Sequence, residues 1–263
     1  MFALSKFPTE RNTTMNFQTG LVSISFRKYS VDEILAACQK ANLSLIEWGS
    51  DVHVPVGDAT LADLVAKKTA DAGLSTLTYG SYFRVGHTPL AEFDAYLDSA
   101  CRLGAKNIRL WCGTVGSAQA TPEVREKIVT EGRAAAEMAA KCGLNITLEC
   151  HSGTLTDDCT SAMRYLAEVN HPAMRMYWQP SQFHSEEYNI ETAKTYAPYT
   201  EGLHVFQWDA SRRYPLSDGK DIWAKYLVPF RAQNRPIGLL LEFMHDDRLE
   251  TLAETAATLQ SWL

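Results

Sequence analysis

The sequence predicts an α/β fold, a (β/α)8 barrel built as a single domain. Short apolar segments alternate with longer helical segments along the whole chain, which is the order that strand–helix units require. Several helical segments end at a glycine just before the next apolar run, as at 72–74 and 142–144, where glycine provides a left-handed helix end. The length of 263 residues is typical of one such barrel.

The candidate strands are eight short apolar runs. They are residues 21–26, 43–48, 75–79, 107–112, 145–150, 175–179, 202–206 and 237–243. Seven segments with helical patterns accompany them, at 31–42, 61–72, 90–103, 122–142, 161–169, 190–197 and 249–263. The first helix begins after Ser30 and has Glu33 three residues later, which is the spacing of a capping box. The glycine-rich phosphate-binding patterns of doubly wound sheets are missing from the sequence, which favours the barrel.

Composition and charge argue against several classes of function. The net charge of −6 disfavours a broad surface for nucleic acid, which needs clustered lysine and arginine. No run reaches the roughly 18 consecutive apolar residues of a membrane span. The six cysteines include no Cys-x-x-Cys pair, so we interpret them as reduced thiols of a cytoplasmic protein. The first residues lack the apolar core of a secretory signal, and we expect a short N-terminal extension at 1–18 before the barrel at 19–263.

Two glutamates stand at the ends of apolar strands, where the chemistry of such barrels takes place. Alternate residues of a strand share a face, so Glu149 and His151 point to the same side of the fifth strand. The same alternation turns Glu242 inward at the end of the eighth strand. Because buried carboxylates are costly without partners, two of them near an inward histidine favour a divalent cation. Glu149 and Glu242 are therefore candidate ligands of such a cation.

Further polar residues lie on the strands of the predicted barrel. Glu47 ends the second strand, and Arg109 lies in the fourth. These two residues either form an ion pair across the barrel interior or contact a substrate. Gln179 ends the sixth strand and His204 lies in the seventh. We therefore expect both side chains at the mouth of the barrel, where the strands end.

Five segments of the chain together resemble a known family. They are Ile-Glu-Trp-Gly-Ser-Asp-Val-His at 46–53, Lys-Asn-Ile-Arg-Leu-Trp-Cys-Gly at 106–113, Leu-Asn-Ile-Thr-Leu-Glu at 144–149, Gly-Leu-Leu-Leu-Glu at 238–242, and the stretch at 204–223. In order and spacing they resemble the xylose isomerase-like sugar isomerase/epimerase barrels, a TIM-barrel family. That family includes ketose epimerases, inosose dehydratase, hydroxypyruvate isomerase and endonuclease IV. The resemblance runs from about Gly20 to the C-terminus.

The resemblance implies one divalent metal, either Mn, Mg, Co or Zn. In the ketose epimerases of the family a Glu, an Asp, a His and a Glu from strands five to eight hold this ion. The matching residues here are Glu149, Gln179, His204 and Glu242. Gln179 departs from the family pattern, whose Asp-x-x-His reads Gln-Pro-Ser-Gln at 179–182. Because an amide oxygen carries no charge, we expect weaker metal binding than the family pattern would give.

The resemblance also implies an activity, an isomerase or epimerase of a small sugar, sugar acid or polyol. The metal would stabilise an enediolate while Glu149 and Glu242 remove and deliver the proton. Several polar residues are expected to bind this substrate, and the barrel is expected to pair as a homodimer. The predicted substrate-binding residues are His53, Glu47, Arg109, His151 and Arg213.

Three alternatives remain open on the sequence. A dehydratase or other lyase acting on an inosose-like ketone shares the same enolate step. A metal-free barrel that only binds a ligand is the second alternative, and its motivation is the neutral Gln179. Abasic-site DNA cleavage, as in endonuclease IV, is disfavoured because strands three and four offer no histidine ligands and the chain is acidic.

Overall fold

Eight parallel strands close into a barrel in the computed structural model, which describes residues 17–263. Each strand pairs with the next in the chain, and the first pairs with the last. The strands are β1 (Phe17–Val22), β2 (Leu45–Gly49), β3 (Ser75–Val85), β4 (Asn107–Cys112), β5 (Asn145–Leu148), β6 (Met174–Trp178), β7 (Thr200–Val205) and β8 (Ile237–Leu241). The predicted (β/α)8 barrel is confirmed.

A helix follows every strand and packs outside the barrel. The helices are α1 (Val31–Lys40), α2 (Ala59–Asp71), α3 (Phe93–Arg102), α4 (Pro122–Lys141), α5 (Cys159–Val169), α6 (Glu186–Tyr196), α7 (Lys220–Arg231) and α8 (Leu252–Gln260). The capping box predicted for α1 is present, because the Ser30 side chain accepts from the Glu33 amide while the Glu33 carboxylate accepts from the Ser30 amide. No helix within residues 17–263 combines the length and the hydropathy needed to cross a membrane.

Two apolar layers hold the barrel together. The larger one lies between the strands and the helices, where Trp178 of β6 packs against Trp223 and Phe230 of α7. The smaller one lies inside the barrel and is formed mainly by Val22, Ile24, Leu45, Leu77, Tyr177 and Leu240. The interior layer excludes water from the base of the polar site that lies at the carboxyl ends of the strands.

The first strand lies earlier in the chain than predicted. It covers Phe17–Val22, whereas Ser23–Phe26, predicted as part of the strand, forms a 3₁₀ turn. The apolar run misled the prediction because this turn is also buried, with Phe26 in the outer layer. The N-terminal extension predicted at 1–18 falls almost entirely outside the described residues, and β1 begins at Phe17.

One helix was not predicted at all. No helix was predicted between the seventh and eighth strands, yet α7 occupies Lys220–Arg231. Two local features oppose the prediction of a helix here. Gly219 at its start offers no side-chain cap, and Pro229 in its last turn is a residue that usually ends a helix.

Candidate active site

A buried arginine joins two carboxylates inside the mouth of the barrel. Arg109 of β4 donates from Nε to Glu47 Oε1 at 2.8 Å and from Nη1 to Glu149 Oε2. Their side chains are at most 8% exposed. Gly80 of β3 makes room for the pair, since a Cβ there would lie 2.7 Å from Glu47 Oε1 and 3.0 Å from Arg109 Nη2. Of the two alternatives left open for Glu47 and Arg109, the structure shows the ion pair.

These contacts keep both carboxylates ionised. Burial alone would raise the pKa of Glu47, but the charges of Arg109 and His204 outweigh burial and lower the pKa to about 2. Burial likewise opposes ionisation of Glu149, and Arg109 and His204 again lower its pKa below the ordinary value. The pKa of Arg109 is correspondingly raised by Glu149 and Glu47 against the effect of burial.

Trp111 completes the environment of Glu149. Its indole Nε1 donates to Glu149 Oε2 at 2.7 Å, the same oxygen that accepts from Arg109. This donor was not predicted from the sequence. The available signal was the alternation along β4, which places residue 111 on the same face as Arg109. Glu149 is therefore held in one orientation by two donors from a single strand.

His204 of β7 lies among the side-chain oxygen atoms of three residues. Its Nδ1 is 2.9 Å from Gln179 Oε1 and 3.6 Å from Glu242 Oε1, and its Nε2 is 3.5 Å from Glu47 Oε2. The ring stacks on Tyr177 at 4.7 Å between centroids. Although burial disfavours the charged ring, Glu242 and Glu47 raise the pKa of His204 to about 9. Without a metal, the imidazole is therefore a proton donor on both nitrogens.

Glu242 directly follows β8 and has no arginine partner of its own. Burial raises its pKa to about 7, and the nearby charge of Glu149 acts in the same direction, although His204 opposes both effects. The next residue, Phe243, has a φ of +46°, which is unusual for a bulky side chain. The Phe243 amide donates to Ser25 Oγ at 2.9 Å, and its carbonyl accepts from Trp208 Nε1 at 3.3 Å. These bonds fix the backbone that carries Glu242.

The donor set fits a divalent cation. Glu149, His204 and Glu242 each offer a ligand atom, and these atoms lie within 4.8 Å of one another. Two ligands at right angles around an ion at about 2.1 Å are ~3.0 Å apart, close to the separation of His204 Nδ1 and Gln179 Oε1. The net charge of the buried groups also suits a divalent cation. With a neutral His204, the carboxylates of Glu47, Glu149 and Glu242 and the guanidinium of Arg109 sum to −2.

A cavity of about 640 Å³ opens beside this group. The residues that line it include Glu149, His151, Gln179, Gln182 and Glu242. His151 Nδ1 lies 2.9 Å from the carbonyl oxygen of Ser152. A carbonyl only accepts, so Nδ1 carries the proton, and in the neutral ring Nε2 keeps its lone pair. The cavity therefore contains a free imidazole nitrogen in addition to the candidate ligands.

Two further predicted substrate-binding residues, His53 and Arg213, are not among the residues that line this cavity. His53 is 4% exposed, and its ring contacts Ser23 Oγ at 3.0 Å and the Tyr29 carbonyl at 3.2 Å. Both of its nitrogens are thus used within the protein, where they connect the segments after β1 and β2. Arg213 lies at the rim, pairs with Asp247 and covers the ring of Phe243 at 5.0 Å.

Fold and site together define a class of protein, a (β/α)8 barrel with a buried Glu–His–Glu group at the carboxyl ends of its strands. The chain belongs to the xylose isomerase-like TIM barrel family, whose sequence profile matches residues 25–262. The family resemblance seen in the sequence is confirmed. The fold and the family alone do not fix the reaction.

One curated relative and two solved structures are similar to this chain. A 3-dehydroshikimate dehydratase of Bacillus anthracis is 35% identical over 169 residues, a match that spans 59% of this chain and 59% of that protein. A crystal structure of a probable 3-DHS dehydratase from the same organism superposes with a TM-score of 0.75, at 19% identity, over 92% of this chain and 98% of the other. A D-allulose 3-epimerase of Methylomonas sp. gives a TM-score of 0.68, at 13% identity, over 94% and 98%. At these identities, the two structures are similar to this chain in fold.

Proposed function

We propose that this protein is a metal-dependent lyase that removes water from a small β-hydroxy ketone through an enolate. The observation that carries the proposal is a further proton-transfer group in the cavity, the imidazole of His151, whose Nδ1 lies 2.9 Å from the Ser152 carbonyl oxygen and whose Nε2 is left available. Arg109 and Trp111 both donate to one oxygen of Glu149 and hold that carboxylate in place. An epimerisation by the two glutamates alone leaves His151 without a role in proton transfer, whereas an elimination uses it as the base.

The elimination balances without an oxidant or reductant. A base removes the proton next to the ketone, and the C–H electrons move into the carbonyl as an enolate. The enolate then expels the hydroxyl group of the β carbon, which leaves as water after an acid has protonated it. The net change is the loss of one water molecule.

The residues of the cavity supply these roles. His151 Nε2 is placed to act as the base, and the same imidazole then returns the proton to the leaving hydroxyl group. Glu149, His204 and Glu242, with the amide oxygen of Gln179, would hold the divalent cation. When bound, such an ion supplies Lewis-acid stabilisation of the enolate oxygen. Arg109 keeps Glu149 charged and correctly oriented for that site.

The curated relative gives the first compound to test. Because that protein is a 3-dehydroshikimate dehydratase, we expect 3-dehydroshikimate, a cyclic β-hydroxy ketone, to be a substrate. Purified protein is incubated with this compound and Mn²⁺, and mass spectrometry follows the loss of one water. Turnover that is lost in His151→Asn and in Glu149→Gln, with both variants folded, supports the proposal. Unchanged turnover in both variants contradicts it.

The isomerase or epimerase activity predicted from the sequence is the second candidate. It is favoured by the positions of Glu149 and Glu242, which approach His204 from different strands of the barrel. Its signature is exchange of the carbon-bound proton with solvent deuterium in a ketose, without loss of water. A panel of ketoses in D₂O, observed by NMR, separates the two reactions.

A further inference from the structure

One arginine at the mouth of the barrel lacks an acidic partner. Arg84 lies near the end of β3, beside Trp111 in the register of the sheet. Its Nη1 donates to the carbonyl oxygen of Gly113 at 3.0 Å, and its guanidinium covers the Trp111 ring at 4.3 Å. Among residues 17–263, no aspartate or glutamate forms an ion pair with it. Arg84 therefore keeps several donors free on a half-buried side chain.

Three other arginines of the mouth differ in this respect. Arg27 pairs with Asp51 at 2.6 Å, and Arg213 pairs with Asp247. Arg109 is shared by Glu47 and Glu149. Arg212, in the loop after β7, also forms no ion pair among residues 17–263, but its side chain is exposed and lies over Tyr214. Arg84 differs from it in being half-buried beside Trp111.

The charge balance of the site leaves room for one more anion. The three buried carboxylates and Arg109 together carry −2 with a neutral His204, and a divalent cation cancels that charge. Arg84 then remains a half-buried cation without an ion-pair partner among residues 17–263. Guanidinium groups bind carboxylates through paired hydrogen bonds, which gives both strength and orientation.

We propose that Arg84 binds the carboxylate of the substrate, and that the substrate is therefore a hydroxy keto acid and not a neutral sugar. This inference rests on the proposed function and names the substrate class of the same site. Trp111 connects the two ends of this substrate site. Its Nε1 donates to Glu149, its ring lies 5.0 Å from that of His151, and Arg84 covers the same ring. The Trp111 ring thus lies between Arg84 and the cavity residues Glu149 and His151 in this chain of contacts.

Two product-like ligands test the assignment without turnover. Loss of water from 3-dehydroshikimate followed by tautomerisation gives 3,4-dihydroxybenzoate, and catechol is the same molecule without the carboxylate. Isothermal titration calorimetry measures the Kd of both ligands for Mn²⁺-loaded protein. We expect the wild type to bind the acid about 10–100-fold more tightly than catechol, as one charge-assisted bidentate contact allows.

Three variants assign that preference to a residue. Arg84→Met keeps an unbranched side chain over Trp111 but removes the charge, so the preference for the acid should disappear while catechol binding stays the same. Arg84→Lys keeps the charge without the planar fork and should retain part of the preference. Arg102→Met removes an exposed arginine of α3 and is the matched control, with the full preference retained. Circular dichroism confirms that each variant is folded.

Each remaining outcome decides between the two proposals. Full preference in Arg84→Met, or no preference in the wild type, overturns the role of Arg84 and leaves the dehydratase proposal standing. An Arg84-dependent preference without conversion of 3-dehydroshikimate overturns the dehydratase and leaves the anion site. Binding of neither ligand overturns both. Competition by inorganic phosphate that depends on Arg84 would instead assign the site to phosphorylated substrates.

Discussion

Two groups of ion pairs use the same residue types in opposite surroundings. At the barrel mouth, Arg109 lies between Glu47 and Glu149, and the three side chains are at most 8% exposed. On the helices, Arg102 lies between Asp63 and Asp98, with 38% or more of each side chain exposed. In both groups one arginine contacts two acids at similar distances. Their surroundings, more than their geometry, determine how each contributes.

The two groups differ in the free-energy cost of removing their charges from water. Removing charges from water costs several kcal/mol per ion, which the attraction within a buried pair only partly returns. Burial of such a network is therefore weak evidence for stability and better evidence for function. The exposed group has no such penalty and only a small stabilising effect, because solvent screens it.

The largest expected effect comes from Arg109→Met, which removes the shared cation. Glu47 and Glu149 would remain as neighbouring buried charges, so the free energy of unfolding should fall by about 3–5 kcal/mol. Urea denaturation followed by tryptophan fluorescence measures this change. The double variant Glu47→Gln/Arg109→Met buries one charge fewer and should be less destabilised. A double variant that is less stable than the single one would contradict this explanation.

Glu149→Gln should separate activity from stability. Glutamine keeps an oxygen that accepts from Trp111 and leaves Arg109 paired with Glu47, so the fold should change little. The lost charge should lower kcat by roughly 10²–10⁴-fold, the usual contribution of a group of this kind. Steady-state kinetics with 3-dehydroshikimate and thermal unfolding measure the two effects. Glu168→Gln, a half-buried glutamate paired with Arg125 on the outside of the barrel, is the control and should retain full activity.

Gln179→Asp tests how far the charge of the mouth controls metal binding. A carboxylate 2.9 Å from His204 Nδ1 would add a negative charge to the ligand set, so Mn²⁺ affinity should rise about tenfold, or ~1.4 kcal/mol. Calorimetry with Mn²⁺ measures the gain. Gln182→Asp puts the same charge elsewhere in the cavity and should have a smaller effect. Equal or weaker binding by Gln179→Asp would remove Gln179 from the ligand set.

Much of this site could be predicted because successive side chains of a strand point to opposite faces. A period of two residues fixes the face of each side chain, so Glu149 and Glu242 were assigned to the mouth from the sequence alone. The structure brings both within 4.8 Å of His204, as the order of the strands requires. The pairing of Glu47 with Arg109 was one of two alternatives, because a sequence does not show which buried charges meet across a barrel.

Other features depend on interactions that no local pattern encodes. Helix α7 was missed because Pro229 and an uncapped start oppose the helical pattern, while packing of Trp223 and Phe230 against β6 overrides them. The hydrogen bond from Trp111 to Glu149 depends on the rotamers of two side chains on neighbouring strands. The free charge of Arg84 is known only once every nearby acid has been assigned to another partner.

The smallest effect should come from Arg102→Met, the exposed counterpart of Arg109→Met. Asp63 and Asp98 would then be unpaired, but water already solvates both, so the midpoint of thermal unfolding should not change measurably. Differential scanning calorimetry at low and high salt makes the comparison sharper, because screening should leave the contrast between the two variants intact. If Arg102→Met were as destabilising as Arg109→Met, burial would not be what separates the two groups. Burial of Glu47, Arg109 and Glu149 would then no longer be evidence that these residues serve function.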